Sequence, residues 1–264
     1  LGATATLAAV GVRFAPADAE PGPVLATAAA VARGETATPD LATAVRTRVA
    51  ARGIARLEAA SALAALGDDV RATSHPRALE DAFRSYFAFR ARHPERVRKP
   101  YLYFVDYGLP STTPRGWVFD MERKRVVEGP FMVAHGRGSA PAGETIPRRF
   151  SNTSGAATTS LGLYVAQELY HFRGKAGGQR YESIGLRLAG VSRGFNDNAR
   201  ARGVVAHGAP YVTATRAGRS EGCPAVEEAR AQRLLPKLSQ GALVFLFAPE
   251  QGWMQRDPWV TAEG

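Results

Sequence analysis

The only cysteine of this chain follows a histidine at short range. The stretch HGAPYVTATRAGRSEGC contains His207, one of five histidines, and ends sixteen residues later at Cys223. A cysteine attacks a carbonyl carbon as its thiolate, and a neighbouring imidazole can accept the thiol proton. The two residues are therefore a candidate nucleophile and base. The alternative is an inert buried thiol beside an unrelated histidine.

The residues around Cys223 favour a reactive thiol. Gly222 permits a close approach of the backbone, so that neighbouring N–H groups could face an oxyanion. Pro224 and the following AVEEAR predict a helix that begins directly after the cysteine, and its N-terminal dipole would favour the thiolate. Sixteen residues do not place His207 and Cys223 on one helix face, so a loop must return the chain. The segment TRAGRSEG is typical of such a loop.

The elements that position this pair are mostly short strands. After Pro100 the chain contains β-branched and aromatic runs separated by turn residues, which predict strands. These runs are YLYFVDY, RGWVFDM, RVVEGPFMVAHG, SLGLYVAQELY, YESIGLRLAG, GVVAHG and GALVFLFAP. Helical patterns occupy 40–66 and 77–92, and shorter ones are FNDNARAR and 225–238. The fold class predicted is mainly β with short helices, a sandwich or barrel, preceded by a helical N-terminal region.

The sequence suggests four segments along the chain. Residues 1–39 are interpreted as a signal-peptide remnant and linker, 40–95 as a helical region, 96–250 as the catalytic domain and 251–264 as a C-terminal tail. The uncharged start LGATATLAAVGV and the later ADA resemble the end of a secretory signal, which predicts export. A disordered Ala/Thr-rich arm is the alternative. The apolar run is too short to span a bilayer.

The composition limits the classes of partner. A formal net charge of +10 and a pI near 10.2 favour polyanions. The basic residues are spread along the chain, and no zinc finger, basic zipper or RNP-like motif is found, so nucleic acid is not predicted. A solvated basic surface and an anionic cell-envelope polymer or lipid remain as interpretations. A single cysteine excludes an internal disulfide and a multi-cysteine metal site.

Several motifs together resemble a known family. His-Gly at 207–208 and SEGC at 220–223 resemble the His-Gly…Ser-x-Gly-Cys signature of YkuD-type L,D-transpeptidases. The blocks DYGLPSTTPRGWVFDM, VAHGRGS and FSNTSGAATTSLGLY resemble, in order, those of the murein L,D-transpeptidase catalytic-domain subfamily. The resemblance covers roughly residues 82–249 and implies the mostly β, sandwich-like catalytic domain of that family.

The resemblance implies a role for each residue of the pair and its neighbours. Cys223 would attack a stem tetrapeptide of peptidoglycan and expel the terminal D-Ala, and His207 would be the base or imidazolium partner. The Gly208 carbonyl would orient the imidazole, and the N–H groups of Gly222 and Cys223 would form the oxyanion hole. A second stem amine would then give a 3–3 cross-link, or water would give hydrolysis. No metal or cofactor is implied. The oligomeric state stays open, and a non-catalytic wall-binding module is the rival interpretation.

The substrate-binding prediction is less specific than the catalytic one. The widespread family motif has His and Arg where this chain has Glu221 and Pro224. We expect Glu221 to face solvent or to pair with Arg219 or Arg216, because a second negative charge would oppose thiolate formation. The candidate substrate-binding residues are Ser220, Arg219, His135, Asn152 and Ser154, with Arg187 as a further candidate for a carboxylate. A purely structural role is the alternative for each.

Overall fold

The computed structural model describes residues 39–70 and 73–261, with side chains from residue 43 onward. The predicted signal remnant and linker therefore lie almost entirely outside the described residues. The chain divides into two compact units, residues 1–49 and residues 50–264. The strands and the remaining helices all belong to the second unit.

Two helices precede the sheet. Helix α1, Pro39–Leu66, ends at Gly67, as the glycine predicts, and a short 3₁₀ helix follows at Gly67–Asp69. Helix α2, Ala78–Arg92, precedes a second 3₁₀ turn at Pro94–Arg96. Its Phe83, Phe87 and Phe89 are buried, which confirms that this aromatic stripe belongs to the core.

The second unit is built on one eight-stranded sheet. Its spatial order is β3-β2-β1-β10-β5-β6-β7-β9, and a separate two-stranded sheet pairs β4 with β8. The strands are β1 Tyr101–Asp106, β2 Gly116–Asp120, β3 Arg125–Phe131, β4 His135–Gly136, β5 Gly162–Ala176, β6 Gln179–Gly190, β7 Val205–Gly208, β8 Arg219–Ser220, β9 Ala225–Val226 and β10 Leu243–Phe247. Strands β1 and β10 are parallel, as are β7 and β9, and as are β4 and β8. Every predicted strand run contains an observed strand.

The core lies along the central strands. Strands β2 and β10 are buried at every position, which explains their nearly continuous apolar sequences. Helix α2 packs against β1 and β10, and helix α3, Glu228–Leu238, packs against β5, β6 and β7. The prediction of a mainly β fold with short helices is confirmed.

Two helix predictions are wrong. The segment FNDNARAR forms turns, and the helix predicted to begin at 225 begins at Glu228. Residues 225–226 form β9 instead, because they pair in parallel with β7. Tertiary pairing thus overrides the local helix preference of AVEEAR.

The last described segment is part of the compact unit. Residues Gln251–Met254 form helix α4, and Trp253 is buried with its indole N–H donating to Asp257 at 2.8 Å. Trp259 and Val260 are buried as well. The segment predicted as a tail thus packs, as far as residue 261, into the core.

Candidate active site

Parallel pairing of β7 with β9 brings His207 and Cys223 onto adjacent chain segments. His207 lies opposite Ala225, and its backbone N–H donates to the Pro224 carbonyl at 3.2 Å. Cys223 precedes Ala225 by two residues, which places it next to Val205 on the neighbouring strand. The Val205 backbone N–H favours the thiolate of Cys223. No hydrogen bond joins the imidazole to the thiol among the described residues.

The His207 ring is buried, and one of its two nitrogens is held by a hydrogen bond. Its Nδ1 lies 2.9 Å from the Gly208 carbonyl oxygen, so Nδ1–H donates and Nε2 is left as the basic nitrogen. Phe172 and Tyr211 stand edge-on to the ring, with centroid distances of 5.2 and 6.5 Å. Burial lowers the pKa of His207 below its usual 6.5, while the Gly208 hydrogen bond and the Glu228 charge act in the opposite direction. The imidazole is therefore neutral at neutral pH.

Cys223 is half-buried as a residue, and its thiol is also neutral. Desolvation raises its pKa above the ordinary 9.0, the Val205 N–H and the Arg202 charge oppose that rise, and the Glu221 charge adds to it. The expectation of a helix dipole at the cysteine is wrong, because α3 begins five residues later, at Glu228. The resting pair is thus a thiol and a neutral imidazole.

The residues from Ser220 to Cys223, here named the cysteine turn, are closed by one hydroxyl. Ser220 Oγ donates to the Cys223 carbonyl at 2.7 Å and accepts from the Gly222 N–H at 3.1 Å. Ser220 is buried, so it holds the turn rather than facing a ligand. Of the two predicted oxyanion donors, the Gly222 N–H is occupied. The Cys223 N–H has no partner within the part of the chain that the structure describes.

Gly222 adopts a conformation and a contact that require glycine. Its φ is +124°, and a Cβ there would lie 2.6 Å from the Thr158 carbonyl oxygen. A Cβ on Gly136 of β4 would in turn lie 2.8 Å from the Gly222 Cα. The cysteine turn is therefore packed tightly between β4 and the Thr158 backbone.

His135 does not line an open groove. It is fully buried, and its Nδ1 accepts from Arg115 Nη2 at 2.8 Å, while its Nε2 is buried without a partner. Burial and the neighbouring Arg115 and Arg219 charges lower the pKa of His135 to about 3. The side chain of His135 thus points inward from β4, and its role as a substrate contact stays a prediction.

Arg219 and Asn152 are committed to loops. The Arg219 guanidinium donates to the carbonyls of Ala140, Pro141 and Glu144, each at 2.6 Å. The Asn152 amide donates to Asp197 at 2.6 Å and its oxygen accepts from the Asn198 N–H at 3.1 Å. Both residues therefore connect surface loops instead of presenting free polar groups to a ligand.

The remaining predicted polar residues are exposed or paired. Ser154 is exposed, without a hydrogen bond among the described residues. Arg187 pairs with Glu168 at 3.2 Å and lies over the Tyr170 ring at 4.2 Å. Glu221 faces solvent as expected, but its partner is Arg137 at 2.7 Å rather than Arg219 or Arg216.

Aromatic residues of the β5–β6 hairpin complete the surroundings of the cysteine. Burial raises the pKa of Tyr170, Tyr181 and Tyr211, and the thiolate form of Cys223 would act on each of them in the same direction. Tyr170 and Phe172 are two residues apart on β5, the spacing of one strand face. That alternation was a usable sequence signal, but the pairing of β6 with β7 was needed to direct this face toward His207.

Arg202 was also missed from the sequence. It donates to the Ser151 and Thr158 carbonyls at 2.8 and 2.9 Å and to Ser160 Oγ at 3.1 Å. Its charge favours the Cys223 thiolate. Nothing in the local pattern of FNDNARAR distinguishes it from the other arginines, because its partners are more than forty residues away.

Among the described residues, no group of three or more His, Cys, Asp or Glu side chains is arranged to hold a metal ion. None of the helices they form is long and apolar enough to cross a bilayer.

Comparison with known proteins gives one family match and several solved structures with some similarity to this chain. The L,D-transpeptidase catalytic domain family matches residues 71–247. An L,D-transpeptidase from Mycobacterium smegmatis is 15% identical over 56% of this chain and 59% of its own, with a TM-score of 0.35. An L,D-transpeptidase from Mycobacterium tuberculosis H37Rv is 15% identical over 56% of this chain and 57% of its own, with a TM-score of 0.33. An L,D-transpeptidase from Stackebrandtia nassauensis is 14% identical over 65% of this chain and 66% of its own, with a TM-score of 0.34. A comparison with curated proteins found no match.

The matches differ in the share of each chain that they cover. This chain spans less than two thirds of each of these three solved structures. The family match, in contrast, covers β1 to β10 and includes both His207 and Cys223. The chain therefore belongs to the L,D-transpeptidase catalytic domain family.

Proposed function

We propose that this protein is a cysteine L,D-transpeptidase that acts on the stem tetrapeptides of peptidoglycan. The observation that carries the proposal is the parallel β7–β9 pairing, which sets His207 beside the segment of Cys223 in a chain of this family. The neutral imidazole, with Nδ1–H bound to the Gly208 carbonyl, presents a basic Nε2. This is the arrangement that general-base activation of a thiol requires.

The proposed reaction begins with proton transfer from the thiol to His207. Because both groups are neutral at rest, the proton moves as the sulfur attacks the carbonyl carbon that follows the L-centre of the third stem residue. The free N–H of Cys223 stabilises the oxyanion. Collapse of the tetrahedral intermediate breaks the C–N bond, His207 protonates the leaving amine, and D-Ala departs. A thioester on Cys223 remains.

The thioester is then resolved by an amine. In the proposed transfer, the side-chain amine of a second stem attacks the thioester carbonyl, the C–S bond breaks, and the extra proton of the amine passes through His207 to the departing sulfur. The products are a 3–3 cross-link and the free thiol. Attack by water at the same carbonyl would instead release a tripeptide. The net charge of +10 supports work on an anionic cell wall, and we propose an exported protein of the periplasm or cell envelope.

Muropeptide turnover tests the proposal. Purified protein is incubated with a disaccharide tetrapeptide, and the products are separated by liquid chromatography with mass detection. We expect a dimer with loss of D-Ala, whereas tripeptide alone would identify a hydrolase. The Cys223→Ala variant should lose all turnover, and full turnover in that variant would refute the nucleophile.

A carbapenem provides a check that needs no natural substrate. Ring opening of the β-lactam by Cys223 should add the inhibitor mass to the intact protein, and Cys223→Ala should show no addition. A protein that binds peptidoglycan but forms neither the adduct nor any product would be a non-catalytic wall-binding module.

A further inference from the structure

A carboxylate from helix α3 lies against the strand that carries His207. Glu228 is the first residue of α3, and its side chain is half-buried. Its Oε2 accepts from Ser183 Oγ of β6 at 2.6 Å, and its Oε1 accepts from Gln232 Nε2 at 2.9 Å. These two hydrogen bonds hold the carboxylate in one place.

Gly208 makes the approach of this carboxylate possible. A Cβ at Gly208 would lie 2.4 Å from Glu228 Oε2 and 2.6 Å from Ser183 Oγ. The carboxylate therefore packs directly on the backbone of the residue whose carbonyl accepts the His207 Nδ1–H. Among the residues that the structure describes, no carboxylate contacts the imidazole itself, so any action of Glu228 on His207 passes through or beside Gly208.

The aromatic side chains around the His207 ring are uncharged. Phe172 of β5 and Tyr211 contact it edge-on, and Tyr170 and Tyr181 of the β5–β6 hairpin are phenols. Arg187 of β6 is paired with Glu168, and Glu221 of the cysteine turn is paired with Arg137 in solvent. The charge of Glu228 raises the pKa of His207, against the larger effect of burial.

We propose that Glu228, held by Ser183, is a positioning residue that stabilises the protonated form of His207 while Cys223 is acylated. In this desolvated site, a carboxylate packed on the Gly208 backbone offsets part of the cost of forming an imidazolium at His207. The effect of Glu228 on the rate of Cys223 acylation rests on the proposed function, whereas its effect on the protonation of His207 does not.

The first experiment compares Glu228→Gln with Glu227→Gln as its matched control. Glu227 precedes it in the chain and lies 4.0 Å from Arg230 at the edge of the helix. The rate of Cys223 acylation by a carbapenem is measured between pH 4 and pH 9. We expect Glu228→Gln to move the acidic limb about one unit lower and to reduce the plateau roughly tenfold. Glu227→Gln should match the wild type, and an unmoved acidic limb in Glu228→Gln would refute the inference.

A second experiment separates this inference from the reaction. The His207 imidazole is titrated by NMR in a Cys223→Ala chain, with and without Glu228→Gln. We expect the pKa of His207 to fall when the carboxylate is removed. Ser183→Ala keeps the Glu228 carboxylate but removes one of its hydrogen bonds, so it should produce a smaller fall in the pKa of His207. A pKa that stays constant or rises would overturn the inference, whereas a wild type that is never acylated would refute only the proposed function.

Discussion

At the scale of single residues, burial changes both partners of the proposed reaction in opposite directions. It raises the pKa of Cys223 and lowers that of His207, so the thiol and imidazole are both neutral over a wide pH range. Activation must then happen during attack, because no preformed ion pair is available. This distinguishes the site from one in which a helix dipole stabilises a resting thiolate.

The neutral pair predicts a particular pH dependence. The acylation rate of Cys223 by a carbapenem should rise with pH as His207 loses its proton, with a midpoint below pH 6.5, and then reach a plateau. Mass spectrometry of the intact protein at timed intervals measures it. In His207→Gln the rate should instead follow the thiol and rise only at alkaline pH. A wild-type midpoint near 9 would show that His207 is not the base.

The conformation and close packing of Gly222 predict that any side chain at this position lowers the unfolding free energy. In Gly222→Ala the new Cβ would meet the Thr158 carbonyl at a φ of +124°, so we expect a loss of about 2–4 kcal/mol of unfolding free energy. Urea unfolding measures this loss. Gly155→Ala is the control, since Gly155 also has a positive φ of +77° but has open space around it. Equal losses in the two variants would mean that the close contact at Gly222 contributes nothing.

At the scale of elements, strand β4 of the small β4–β8 sheet carries His135, the partner of the buried Arg115 guanidinium. Arg115 donates to the carbonyls of Val133 and Leu109 and to His135, and its guanidinium lies 4.9 Å from the centre of the Tyr107 ring. Burial lowers the pKa of Arg115 to about 10 and that of His135 to about 3. Strand β4, which carries His135, pairs with β8, and the last residue of β8, Ser220, begins the cysteine turn.

The buried His135 predicts a loss of stability in acid. The unfolded chain binds a proton at this histidine below about pH 6.5, whereas the folded chain does not until about pH 3. The unfolding free energy should therefore fall by about 1.4 kcal/mol for each pH unit between these values. Buried carboxylates with a raised pKa act in the opposite direction, so the comparison is made between variants.

His135→Gln should remove this dependence. Its unfolding free energy, measured with urea from pH 7 to pH 4, should decline less steeply than that of the wild type. His171→Gln, at an exposed position of β5, is the control and should keep the wild-type slope. Parallel curves for the wild type and His135→Gln would contradict the assignment.

At the scale of the whole molecule, the two compact units predict where the chain tolerates truncation. The second unit begins at Ala50 and contains the buried residues Ala55, Ala59 and Leu66 of α1. A chain that begins at Ala50 should keep its unfolding temperature within a few degrees and its rate of Cys223 acylation. Calorimetry and mass spectrometry measure the two properties. A chain that begins at residue 71 is the comparison and should unfold earlier, because it loses those buried contacts.

Loss of acylation in the chain that begins at Ala50 would assign a functional role to the residues before it. If removal of residues 1–49 abolished acylation while the fold persisted, the first unit would contribute to activity. The sequence alone suggested a helical region without any indication of where its packing begins.

The sequence by itself determined the strand runs, the two N-terminal helices and the pair of residues that could do chemistry. Each of these follows from local pattern: the β-branched and aromatic runs YLYFVDY and GALVFLFAP, the Phe spacing of α2, and the rarity of cysteine. The His207 orientation by the Gly208 carbonyl was implied by the family resemblance, and the hydrogen bond is present at 2.9 Å.

The tertiary structure alone decided which polar residues are free. Arg219, Asn152 and His135 are indistinguishable from ligand-binding residues in sequence, but their hydrogen-bond partners lie on distant loops and strands. The same holds for Glu228, whose contact with Gly208 depends on how α3 packs on β7. A local pattern records the period of a chain segment. It does not record which segment will be its neighbour, and both the satisfied hydrogen bonds and the shifted pKa values of this site depend on those neighbours.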